Sequence, residues 1–62
     1  MTSIHRADMR SMLLAAKSYL EAGEGYMAVY CLRKALGYAK CHGHSYAAGR
    51  ILTAIREARK VA

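Results

Sequence analysis

The chain has 62 residues, 55% of them hydrophobic, no Pro, Trp or Phe, and a formal net charge of +6. That length allows one domain at most, spanning residues 1–62, and a core that covers only about 60% of the unfolded chain's surface. The longest apolar run, Met12 to Ala16, is far short of the roughly 20 residues that span a bilayer, which excludes a membrane-spanning role.

Ala, Leu, Met, Lys, Arg and Glu dominate, and β-branched residues never alternate over a strand length, so the fold class is all-α. Thr2 or Ser3 is expected to cap a first helix running from about Ile4 to Ala22. Met9, Met12, Leu13, Ala16 and Leu20 recur at spacings of three and four, which gives one apolar stripe with Tyr19 at its edge. Arg6, Arg10 and Lys17 fall off that stripe. Gly23 follows the last periodic residue, where a left-handed conformation is wanted. Gly23-Glu24-Gly25 is too short for anything except an antiparallel helical hairpin.

A second helix is expected from about Tyr26 to Lys40, burying Ala28 or Val29, Leu32, Ala35, Leu36 and Ala39. A line of Tyr26, Tyr30, Lys34 and Tyr38 repeats every four residues beside that stripe. Gly43 marks another helix end, and Ser45 is the expected N-cap of a third helix from about Tyr46 to Lys60. The third helix should bury Ala48, Ile51, Leu52, Ile55 and Ala58. The expected architecture is three short antiparallel helices in a small bundle: a hairpin plus a capping helix.

The order and spacing of Ala16, Tyr19, Gly23, Ala28, Leu32, Ala35 and Leu36 resemble the tetratricopeptide repeat over about half of the chain. Ser11 or Met12 stands where that family has a Trp-like residue, and Lys40 replaces its terminal Pro. Tyr46 to Leu52 then imitates the start of a following repeat. The resemblance implies close approach of two helices at Ala16 and Ala28, and a groove that binds a peptide or protein.

Residues 1–31 balance three cations with three anions, whereas residues 32–62 hold seven cations and one anion, so the whole +6 lies in the second half. Such asymmetry points to an acidic partner or a polyanion. Arg33, Lys40, Arg50, Arg56, Arg59 and Lys60 are the candidate polyanion-binding residues, in which case nucleic acid is the alternative partner. The principal candidate site is the line Tyr26, Tyr30, Lys34 and Tyr38, because tyrosine combines a large contact area with a polar tip. The partner is then another protein or a second copy, since spare apolar area at Met12, Met27 and Val29 favours a homodimer or tight complex.

Cys31, Cys41, His42 and His44 lack the paired spacing of a zinc site, so Cys31 reads as a buried hydrophobe and the histidines as loop residues. No cofactor is called for. A Cys41–His pair has no third group to orient it, and an enzyme is not expected. The start of the chain has no signal-peptide pattern, so reduced thiols in the cytoplasm are expected.

Overall fold

In a computed structural model the backbone is described for residues 3–61 and the side chains for residues 8–61. The expected Thr2 cap, and the side chains of Ser3 and Arg6, lie outside that range. Among the described residues the chain forms α1 (Ser3–Glu21), α2 (Gly25–Cys41) and α3 (Ser45–Arg59), and nothing else regular. Each boundary falls within one residue of the sequence expectation.

The two turns share one geometry. Gly23 has φ +77° and Gly43 φ +72°, the left-handed region where only glycine sits without strain. The Gly23 N–H donates to Leu20 O at 3.0 Å, and the Glu24 N–H donates to Tyr19 O at 2.8 Å. Gly43 donates to Lys40 O at 3.3 Å and His44 to Ala39 O at 2.8 Å, which repeats the pattern. Each pair of bonds closes a helix end in the Schellman manner and satisfies carbonyls that would otherwise be orphaned. The closing residue then serves at once as N-cap of the next helix. His44, not Ser45, therefore holds the N-cap of α3, and Ser45 is its first helical residue. The Schellman bond fixes that register and overrides the preference of serine for the cap.

α2 packs against both neighbours, whereas α1 and α3 touch only marginally. The buried residues reflect that order. α2 buries Gly25, Ala28, Cys31, Leu32, Ala35 and Ala39. α3 buries Ile51, Ile55 and Ala58. Among the described residues of α1, Ala16 is the buried one, with Met9, Met12, Leu13, Tyr19 and Leu20 packed around the core's edge.

Alanine is the commonest residue of this core, with Leu32, Ile51 and Ile55 as its large members, and most other large apolar side chains lie at its rim. No large side chain falls below 2% exposure among the described residues. Cys31 is a buried apolar residue, as its mid-helix position suggests. Leu52 departs from the sequence expectation: it is 45% exposed. α3 packs mainly on α2, and the stripe that α2 covers is too narrow to include both Ile51 and Leu52.

Candidate functional site

At about 100° per residue, Val29, Arg33, Leu36 and Lys40 share one flank of the buried stripe of α2. The same arithmetic puts Ala48, Leu52, Arg56 and Arg59 on one flank of α3. These flanks meet. One cleft, of about 270 Å³, is lined by Tyr26, Val29, Tyr30, Arg33 and Arg59. A second, of about 390 Å³, lies at the other end of the same seam and includes Ala39, Lys40, His44, Ala48 and Leu52. From Ala48 to Arg59 the seam runs about 16 Å along α3 at 1.5 Å per residue.

The structure thus joins half of the tyrosine line to part of the basic set. Tyr26 is 79% exposed and Tyr30 54%, and both rings stand beside the guanidinium-bearing side chains of Arg33 and Arg59. Lys34 Nζ lies 5.6 Å from the centre of the Tyr30 ring, a cation–π contact at an exposed site worth about 0.5–1 kcal/mol. Lys34 does not line the cleft, so it braces Tyr30 from outside it.

A spacing of four residues advances about 40° per step around a helix, so the line from Tyr26 to Tyr38 winds about 120°. Tyr38 is accordingly half-buried on the α1 side, away from the cleft. The four residues are a spiral, not one face.

The basic residues also divide. Arg33 and Arg59 line one cleft of the α2–α3 seam and Lys40 the other, whereas Arg56 lines neither. Arg50 lies on the opposite flank of α3, in a cleft with Leu13, Tyr46, Ala47, Ile51 and Ala54 between α1 and α3. Lys60 donates to Glu57 Oε1 at 3.4 Å in an exposed pair, which leaves it partly neutralised.

The joining of Arg59 to Tyr26 is a tertiary fact that a helical wheel alone does not reveal. The signal was present in the turn: an antiparallel α2–α3 pair closed at Gly43 brings the first turns of α2 to the last turns of α3. The exposure of Leu52, 23 residues from Val29 in sequence yet on the same seam, carried no signal of its own.

Cys41 is exposed at the end of α2. Among the described residues no three of the His, Cys, Asp and Glu side chains converge as metal ligands. No helix among them is long and apolar enough to cross a membrane. The chain matches no protein-family model, no curated protein and no solved structure.

Proposed function

We propose that this chain is a small helical adaptor that binds another protein along the α2–α3 seam, with Tyr26 and Tyr30 as its aromatic anchors. The observation that supports this best is the exposure of both rings at a cleft edged by Arg33 and Arg59. Tyr and Arg are the residue types that most often dominate interface energetics, because each combines large contact area with directional polar groups. Lys34 and Tyr38 extend the contact around α2 towards α1. Self-pairing through this seam is disfavoured, since two copies would bring cations against cations. In this reading the protein works in the cytoplasm, where Cys31 and Cys41 remain thiols.

The repeat-like reading of Ala16, Ala28, Leu32 and Ala35 would seat a peptide instead in the α1–α3 cleft around Leu13 and Tyr46. The seam is preferred because it gathers two exposed tyrosines with Arg33, Lys40 and Arg59, against one tyrosine and one arginine in the α1–α3 cleft. Nucleic acid is the second reading, supported by the three cations, Arg33, Lys40 and Arg59, that line the seam. It requires affinity that falls steeply with salt, because bound phosphates release counterions.

The adaptor reading is tested with a photo-crosslinking amino acid placed at position 26 or 30, and at Ser18 on the exposed face of α1 as control. Discrete protein adducts from 26 and 30 but not from 18 are expected. Adducts from all three, or from none, overturn the reading.

A further inference from the structure

We infer that the α2–α3 seam receives an acidic amphipathic helix of about three turns from the partner protein. The inference rests on the adaptor reading and specifies what the adaptor holds. Length comes first. The seam's two clefts lie about 16 Å apart, the rise of about 11 helical residues. Apolar side chains at positions i and i+11 of a docked helix reach both clefts, with i+4 and i+7 between them. An amphipathic helix laid into a groove is a recurring recognition mode with this spacing.

Charge comes second. α2 contains no Asp or Glu, and among the described residues no carboxylate lines either cleft of the seam. Glu57, the acid of α3, sits about 160° around the helix from Arg59 and is paired with Lys60. Among the described residues, Arg33, Lys40 and Arg59 therefore line the seam without a carboxylate beside them in either cleft. Carboxylates flanking the apolar stripe of the incoming helix meet those cations, and guanidinium groups bind carboxylates bidentately.

Cleft chemistry comes third, and it separates a protein helix from the competing ligands. A single-stranded nucleic acid needs an aromatic platform for successive bases. Tyr26 and Tyr30 stand at one end, but the cleft at the Lys40 end has no tyrosine in its lining: Ala39, Ala48, Leu52 and glycine backbone form its aliphatic walls, beside Lys40, His44 and Ser45. Aliphatic walls of that kind take an aliphatic side chain. A second copy of this chain has no suitable helix, because Asp8 and Glu21 of α1 lie far apart with Arg10 and Lys17 between them.

The test uses the full chain, isotope-labelled for amide NMR, and a synthetic 16-residue peptide with Leu at i, i+4, i+7 and i+11 and mostly Glu elsewhere. A scrambled peptide of the same composition and a 15-mer oligothymidylate serve as comparisons. The amphipathic peptide should bind at least tenfold more tightly than the scrambled one, with amide shifts at residues 26–40 and 48–60. Arg33→Glu with Arg59→Glu should weaken binding at least tenfold, and so should Leu52→Glu, with helical circular dichroism unchanged in each variant. Equal binding of the scrambled peptide overturns the inference, as do shifts centred on Leu13, Ala47 and Ala54. Tighter binding of oligothymidylate at the seam overturns it in favour of nucleic acid. Failure of the peptide together with protein adducts at positions 26 and 30 sinks the acidic helix and leaves the adaptor standing. Peptide binding at the seam without such adducts supports the surface chemistry and removes its assignment to an adaptor.

Discussion

Leu32→Ala is the sharpest test of how this domain is held together. Leu32 is 3% exposed and sits on the central helix, which packs against both others. Removing its outer carbons forfeits about 0.8 kcal/mol for each of three, or roughly 2.4 kcal/mol of transfer free energy. A cavity penalty adds to that, and buried Leu→Ala changes generally cost about 2–5 kcal/mol depending on how well the site collapses. Here collapse is poor. Ala28, Ala35 and Ala39, which share the stripe, and Ala16 across from it have no rotatable side chain to swing into the space. The expected loss is therefore about 3–4 kcal/mol. A domain of this size has only about 3–5 kcal/mol in total, so the variant should sit near its unfolding midpoint at 25 °C. At about 4–8 °C per kcal/mol, the melting temperature should drop by at least 12 °C. Urea titration followed by far-UV circular dichroism measures this, with Leu52→Ala as the exposed comparison, expected to lose less than about 1 kcal/mol. A loss below about 1 kcal/mol at Leu32, or equal losses at the two leucines, would refute an alanine-lined core centred on α2.

The glycines give a prediction of opposite signs. Gly37→Ala and Gly49→Ala, at helical positions where an added Cβ meets nothing within 4 Å, should each stabilise by about 0.5–1 kcal/mol. Gly23→Ala and Gly43→Ala, at positive φ, should each destabilise by about 1 kcal/mol, with the four values read from the same urea titrations. Cys41 should react with a disulfide-exchange chromogen in the native protein, whereas buried Cys31 should react only after unfolding; two equally fast thiols would contradict the placement of Cys31. Glu57→Gln breaks the exposed pair with Lys60 and should change stability by less than about 0.5 kcal/mol in a thermal melt, since such pairs contribute little.

Much of the fold was legible because its determinants are local. The three- and four-residue spacing of apolar groups and the glycines at 23 and 43 act within one or two turns of chain, and they place every helix boundary to within a residue. Ser45 shows where local preference stops deciding: the bond from His44 to Ala39 commits the chain to helix one residue earlier than a serine cap would. The expected burial of Leu52 failed for a different reason. Periodicity says which residues share a stripe but not how wide a stripe the neighbour covers, and α3 packs mainly on α2. The candidate surface was half legible. Tyr26 and Tyr30 stand out as residue types, and the clustering of cations after residue 31 stands out as charge. That Arg33 and Arg59 edge the tyrosine cleft, while Arg50 and Tyr38 do not, depends on the register between α2 and α3.

The alanine core and the exposed seam have one origin. Helices that meet largely through alanine leave little room between them, so Leu32, Ile51 and Ile55 are the large side chains they bury, while Val29, Leu36, Tyr30 and Leu52 are left at the margins. At the margins of α2 and α3 they meet the long arginine and lysine side chains, whose apolar stems lie along the surface while their charges stay in water. The resulting strip is apolar at its base and cationic at its edges. A stability surplus this small also gives a ligand large leverage. Anything that binds the folded state at a hundred times its dissociation constant adds about 2.7 kcal/mol, comparable to the stability the domain has by itself. Occupation of the seam and integrity of the fold are therefore coupled, and the coupling follows from packing three short helices around alanine.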